Sequence, residues 1–222
     1  MQPRLKTSDI SLSPSEYLAV AKESFFIRYE SDTDVWTHEP ELSHAPAILI
    51  ESLPMSQPHT LDLGAGKGRD VEVFLRAGHR VTAVDLFNQD SWRELQNRWR
   101  GNVNFVASPF LDWSPAIQFD AILDNGCFHH QHPSEYARHL SHMKAMMKPR
   151  AKAAFCVFTP NELDRKEGYF TQIDLGRISR YFTEAELKQL LEASGFRWLR
   201  SKRVYREKYD RYYLVALVEN VE

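Results

Sequence analysis

The run Leu61-Asp62-Leu63-Gly64-Ala65-Gly66-Lys67-Gly68-Arg69-Asp70 constrains this chain more than any other stretch. His59 to Leu63 reads as a buried strand, and it enters a turn with glycine at every second position. From Arg69 the pattern turns helical, with Val71, Phe74 and Leu75 on one face and Gly78 as the stop signal. Strand, glycine turn and helix together make the ligand-binding corner of a doubly wound α/β fold. Glycine there lets the backbone approach a ligand and adopt dihedrals that other residues resist.

The spacing narrows the ligand. A dinucleotide fingerprint places its last glycine five positions after its first, and Gly64 is followed at that distance by Arg69. The next strand, Arg80–Asp85, ends on a carboxylate 21 residues after Gly64. An acid there accepts from both hydroxyls of an unphosphorylated ribose. Asp62 points the same way, because a carboxylate beside a pyrophosphate is repulsive and one beside an amino group is attractive. The ligand is an adenosine derivative with a cationic arm.

Leu61 to Asp70, followed by Val81-Thr82-Ala83-Val84-Asp85, resembles motifs I and II of the class I S-adenosylmethionine-dependent methyltransferases. Phe119 to His130 is similar to that family's fourth strand and following loop. Met147-Lys148-Pro149 resembles its Leu-Lys-Pro-Gly-Gly turn, with Arg150 and Ala151 in place of both glycines. Trp36-Thr37-His38-Glu39-Pro40 resembles the small-molecule branch with thiopurine, thiol/halide and tellurite-resistance methyltransferases. The likeness runs from about Trp36 to the C-terminus.

The pattern predicts helices over 13–29 and 41–52, strand 59–64, helix 68–77, strand 80–85, helix 89–99, strands 103–107 and 119–124, helix 134–147, strand 152–158, helix 183–194, and strands 196–206 and 211–219. Such alternation implies a parallel sheet with helices on both faces. The short link Glu207–Asp210 joins antiparallel strands only, since a parallel return needs a long crossover. The expected fold class is therefore α/β, a Rossmann-like doubly wound seven-stranded sheet, mostly parallel with a reversed C-terminal strand. Residues 1–55 are expected to form an N-terminal helical lid and 56–222 the cofactor-binding core.

Two cysteines in 222 residues do not make a disulfide scaffold, a net charge of −2 gives no basic field for nucleic acid, and no apolar run approaches membrane-spanning length. These features predict a cytoplasmic protein, a monomer or homodimer, acting on a small molecule without nucleic acid or membrane.

What the resemblance implies for the site follows residue by residue. S-adenosyl-L-methionine, leaving as S-adenosyl-L-homocysteine, is expected against Asp62, Gly64, Ala65, Gly66 and Gly68, with Asp85 and Leu86 at the ribose. Ser108, Pro109 and Phe110 are expected to flank adenine, where the family usually has Gly-Asp; Asp112 is a candidate substitute acceptor. Asp124, Asn125 and Gly126 complete the cofactor set. Tyr29, Trp36, Phe128, His129 and Tyr169 are expected to meet the substrate, and His129, His130 and Asp124 to be the catalytic residues. Imidazole titrates near neutral pH and suits a general base. An aromatic lid, including Phe25, Phe26, Phe170, Tyr181 and Trp113, is expected to shield the sulfonium from water.

Competing readings remain open in the sequence. Asp124 could cap the turn before Gly126. Cys127, His129, His130 and His132 suggest zinc, but their spacing is too tight for a standard site, so no metal is expected. The basic C-terminal hairpin (Arg197, Arg200, Lys202, Arg203, Arg206) reads as a solvated edge. The favoured function is direct methyl displacement onto an S, O or N nucleophile of a small acceptor. The alternatives are a non-catalytic S-adenosylmethionine sensor or partner subunit and, more remotely, a nicotinamide oxidoreductase.

Overall fold

Strand β1 (His59–Leu63) sends successive side chains to opposite faces of a sheet whose two sides are both covered. The computed structural model describes residues 4–53 and 56–221. After β1 come α3 (Arg69–Arg76), β2 (Arg80–Asp85), α4 (Asp90–Arg98), β3 (Val103–Ala107), β4 (Phe119–Asn125), α5 (Tyr136–Ala145) and β5 (Met147–Thr159). Before it lie α1 (Pro14–Glu30) and α2 (His44–Glu51). The chain closes with β6 (Tyr169–Ile173), β7 (Arg177–Tyr181), α6 (Glu184–Ala193), β8 (Phe196–Arg206) and β9 (Arg211–Asn220).

Pairing gives the order β3-β2-β1-β4-β5-β9-β8, with β9 antiparallel to β5 and β8 and the pairs among β1 to β5 parallel. These seven strands are the expected mostly parallel array with its reversed C-terminal strand, which lies inside the sheet between β5 and β8; the pair β7 and β6, joined to β5, brings the sheet to nine strands. One face buries Leu61, Leu63, Ile122, Phe155 and Leu214 under α5 and α6. The other buries Val81, Ala83, Leu123, Cys156 and Val215 under α2 and α3. Full burial of each large side chain contributes roughly 1.5–3 kcal/mol before entropy is counted.

Three features differ from the sequence reading. The segment read as a loop after β5 holds the hairpin β6–β7, joined through Asp174–Gly176. Tyr169-Phe170-Thr171-Gln172-Ile173 before Asp-Leu-Gly, with Arg177-Ile178-Ser179-Arg180-Tyr181 after it, is a hairpin signal that the charged residues obscured. Tyr181 pairs with Phe158 of β5. Because β9 takes one edge of β5 from Lys152 to Thr159, the hairpin uses the other edge, beyond the end of β4. It therefore overhangs the carboxyl ends of the parallel strands.

The expected lid, residues 1–55, is too long. Helix α2 buries Ala45 and Leu49 completely in the sheet core, so it belongs to the core. The lid is α1 with the 3-10 turn Val35–His38, and it packs on the hairpin through Tyr17, Ala21, Phe170 and Ile178. Finally, Arg150 stands in left-handed backbone, φ 62°, where the resembled turn carries glycine. Its guanidinium, 3.3 Å from Glu219, anchors that conformation to β9.

Candidate functional site

The glycine turn folds as its residues require. Gly64, Gly66 and Gly68 all have positive φ, at 70°, 53° and 87°. A Cβ on Gly64 would lie 3.1 Å from Cys127 Cβ, and one on Gly66 would lie 2.9 Å from the Tyr29 hydroxyl. Gly68 faces inward, where a Cβ would sit 2.6 Å from Leu95, so its demand comes from packing α4 rather than from the cleft. Gly68→Ala is accordingly expected to lower stability by at least about 1–2 kcal/mol, the cost of the left-handed backbone, with the displacement of Leu95 added to it, and to preserve cofactor affinity; thermal melting and ligand titration on the same sample separate the two effects.

A cavity of about 780 Å³ opens at the carboxyl ends of the parallel strands. Of the residues expected there, Gly64, Asp85, Leu86, Ser108, Pro109, Phe110, Asn125, Gly126, Tyr29, Trp36, His129 and His130 line it, as does Asp112. Ala65, Gly66 and Gly68 form the turn behind that wall, and Asp62, buried in β1, lies behind it rather than in the lining.

At the glycine end, Asp85 is buried and accepts from Gly66 N at 2.8 Å. Burial raises its carboxyl from the ordinary value to about 6, against the pull of the Gly66, Phe87 and Leu86 amides. Asp62 is buried too, and its Oδ2 has no hydrogen-bond partner. Its carboxyl is pushed well above the usual range by burial first and by Asp70 next, with Asp85 and Asp124 adding to the effect. Asp70 is held bidentately by Arg69 and accepts from Asn125 Nδ2 at 2.6 Å. The acceptors left open here are Asp62 Oδ2 and Asn125 Oδ1, which suit a hydrogen-bond donor. The lid is latched over this end by Lys67, which reaches Asp32 at 2.7 Å and Asp34 at 2.9 Å.

The other end is built by partners distant in sequence. Phe158 stacks between Tyr181 and Tyr213, with ring centroids at 5.2 and 5.4 Å, and the His129 ring lies 4.1 Å away. Arg206 is buried and pairs with Glu39, which also accepts from the Tyr213 hydroxyl at 3.1 Å. Arg177 donates to Ser24 Oγ at 2.9 Å and to His130 Nε2 at 3.0 Å, and lies 4.3 Å over the Phe25 ring. Glu39, Phe158, Arg177, Arg206 and Tyr213 all line the cavity and were not anticipated. Arg206 also corrects the reading of its hairpin as a solvated edge: Val204 and Arg206, two apart, share a buried face of β8.

Other expectations change at this end. Asp124 does not reach the cavity. It is sealed under the floor, where Oδ1 accepts from Cys127 N and Phe128 N and Oδ2 lies 3.3 Å from His139. That is the turn-capping arrangement, and it leaves the carboxylate no route to an acceptor. Phe128 is wholly buried, stacked on Phe182, and serves the core. Tyr169 stacks on Tyr181 outside the cavity, under Arg4 and Arg165. Of the wider aromatic set only Phe25 joins the lining: Phe26 is half exposed against Phe87, Phe170 packs under α1, and Trp113 packs on the core. His129 and His130 are in place but do not titrate near neutrality. Burial and then the Arg177 charge lower His129 to about 3, and burial with His129 and Arg177 holds His130 well below its ordinary value. Cys127 and His132 have separate partners, Gln131 for the thiol and Ser134 with Leu12 O for the imidazole.

Asp85 makes ligand affinity depend on pH in a definite direction. The expected ribose contact has the hydroxyls donating to the ionised carboxylate. Affinity is therefore expected to be full above pH 6 and to fall as pH drops through 6, by up to tenfold per unit. Titrations of S-adenosylhomocysteine between pH 5 and 8 check this, and a flat profile would show that Asp85 does not carry the contact. Free-protein stability moves oppositely: with the folded value above the unfolded one, Asp85 costs nothing below the unfolded value, and its cost grows as pH rises toward 6 and is complete above it.

The family described as "Methyltransferase domain" matches residues 43–201. The chain is similar to the Burkholderia thailandensis 1,6-didemethyltoxoflavin-N1-methyltransferase, solved with 1,6-didemethyltoxoflavin and S-adenosylhomocysteine bound: 39% identity over 96% of this chain and 92% of that one, TM-score 0.91. It shares its fold at 15% identity with the glycopeptide N-methyltransferase MtfA, complexed with S-adenosylmethionine, over 81% and 94% of the two chains (TM-score 0.63). The [4+2]-cyclase SpnF has the same fold at 15% identity, over 80% of each chain (TM-score 0.64). No curated protein matches the chain by sequence.

Proposed function

We propose a small-molecule N-methyltransferase activity from the premise that this chain belongs to the class I S-adenosylmethionine-dependent methyltransferases. When bound, the cofactor supplies an electrophilic methyl group carried on a sulfonium. The residues at the glycine end fit that group. Asp62 Oδ2, buried without a partner, suits the methionine ammonium. The positive φ of Gly64 and Gly66 supports an approach of its main chain there, and Asp85, the acid that ends β2, is the proposed acceptor for the ribose hydroxyls. Leu86, Ser108, Pro109, Phe110 and Asp112 flank the space for adenine. Because Pro109 offers no N–H and no side-chain acceptor, the Asp112 carboxylate is the candidate partner for the adenine amino group. Tyr29 and Trp36, edge to face at 5.7 Å, cover the turn and keep water from the sulfonium.

One observation carries the acceptor class: the far end of the same cavity is lined by the aromatic rings of Phe25, Phe158 and Tyr213, with buried Arg177 against the first and Arg206 against the other two. Such a lining suits a flat, polar heteroaromatic molecule, which the rings bound through their edges and the guanidiniums hold by directed hydrogen bonds. A ring nitrogen is the favoured nucleophile, in keeping with the N1 specificity named for the Burkholderia protein. Alignment and desolvation are then the main work of the residues.

The test is incubation with S-adenosylmethionine and either 1,6-didemethyltoxoflavin or a panel of flat nitrogen heterocycles, followed by mass spectrometry. A mass gain of one methyl group, located on nitrogen, supports the reading. Methylation confined to thiols or phenols would replace it.

A further inference from the structure

The acceptor end of the cavity carries a buried cation in excess. Arg28 donates to Asp174 through Nε at 2.9 Å and through a terminal nitrogen at 2.6 Å. Arg177 reaches the same carboxylate at 3.3 Å. Among the described residues neither guanidinium has a second carboxylate, so two cations share one anion. Arg28 is partly exposed and Arg177 is almost fully buried, so the surplus falls on Arg177, where water cannot neutralise it. Across the cavity Arg206 is matched one for one by Glu39 and carries no surplus. An unneutralised buried charge is among the costliest arrangements in a protein, and a ligand of opposite sign offsets it.

Among the described residues the carboxylates nearest this end are engaged or sealed: Asp174 and Glu39 by guanidiniums, Glu135 of the same cavity by Arg138, and Asp124 below the floor. Arg177 N–H points at His130 Nε2, and the His129 ring crowds the same nitrogen at 3.1 Å. Arg177, Arg28, Asp174 and Tyr17 are the charged and titratable groups around this imidazole pair from β7, α1 and the hairpin turn, and Arg206 of β8 acts on His129 as well.

We propose that the acceptor enters as its conjugate base, an acidic N–H heterocycle already ionised in solution, and that Arg177 is the residue that selects the anion. This rests on the N-methylation reading above and specifies its substrate. The balance is then complete without a protein base. The ring-nitrogen lone pair forms the N–CH3 bond, the C–S pair stays on sulfur, one positive and one negative charge vanish together, and no proton is left over. Charge annihilation of that kind is favoured in a desolvated site. Arg177 is a positioning and specificity residue; Phe25 and Ser24, on α1, hold its plane toward the cavity.

The experiment uses the full chain saturated with S-adenosylhomocysteine, so that no turnover is needed. Lumazine, an acidic flat pteridinedione whose absorption reports ionisation, is titrated across pH. Its 1,3-dimethyl analogue, which has lost both acidic ring N–H groups, is titrated beside it. The bound lumazine is expected to ionise at least about one pH unit below its solution value. The dimethyl analogue is expected to bind roughly 10- to 100-fold more weakly, the range of one charge-assisted hydrogen bond. Arg177→Met should abolish the shift, and Arg177→Lys should restore part of it by returning the charge. Bound lumazine with the neutral spectrum and an unshifted midpoint would overturn the proposal, as would equal affinity for the two compounds or no binding of either. Loss of methyl transfer with every nitrogen acceptor would overturn the N-methylation reading instead, because the spectral readout does not depend on turnover.

Discussion

Glu39→Ala is expected to lower the stability of the free protein by about 3–5 kcal/mol, the cost of leaving a buried cation without its partner. The Glu39 carboxylate accepts from Arg206 on both oxygens and from the Tyr213 hydroxyl, and all three residues are buried. Removing it strands Arg206, which then has only the rings of Phe158, Tyr209 and Tyr213 within reach. Glu39 sits between the 3-10 turn Val35–His38 and the one at Pro40–Ser43, so the pair also fastens the entry segment to the end of β8. Denaturant unfolding of Glu39→Ala measures the loss. The double variant Glu39→Ala with Arg206→Met should recover much of it, because the stranded charge is gone while the apolar stem remains. No recovery in the double variant would show that the loss comes from packing rather than charge.

Asp85→Ala is expected to weaken S-adenosylhomocysteine binding about 100-fold or more, since two hydrogen bonds to a charged group at roughly 1.5–3 kcal/mol each are removed. The fold should survive. Asp85 is a buried carboxyl held near pH 6 by its surroundings, so its removal relieves a desolvation cost at neutral pH. The backbone amides that lose this acceptor include Gly66 N, at 2.8 Å, and the more weakly placed Phe87 N, at 3.4 Å, with Leu86 N beside them. Asp85→Asn keeps an oxygen for the first of them. Calorimetry on the three proteins should therefore rank them wild type, Asn, Ala, with melting temperatures that do not follow that order. Affinities that follow melting temperature would make Asp85 a structural residue.

How much of this was legible in the sequence depends on distance along the chain. The glycine turn and the strand-end acid lie within some twenty residues of each other, and local dihedral demand fixes both, so alternation, glycine spacing and one carboxylate sufficed. The acceptor wall joins Ser24 to Arg177 and Glu39 to Arg206, pairs separated by 153 and 167 positions. No periodicity records such a contact. Arg206 read as solvated because charged residues alternate along β8, although its spacing of two from buried Val204 was the available clue. His129 and His130 were placed correctly but given the wrong titration, because burial and the Arg177 charge are properties of the fold rather than of the Phe-His-His run. Asp124 illustrates the converse. Its neighbours Cys127 and Phe128 are local, so the capping role was visible, and only the seal above it was not.

The most direct test of the central claim is a single-turnover reaction with S-adenosylmethionine carrying an isotope-labelled methyl group, excess wild-type protein and 1,6-didemethyltoxoflavin, read by nuclear magnetic resonance. Label on a ring nitrogen of the acceptor, with equivalent S-adenosylhomocysteine formed, is the expected result. Tight cofactor binding with the label still on sulfur for this and every other flat nitrogen heterocycle would contradict it and leave a cofactor-binding protein that transfers no methyl group to such acceptors.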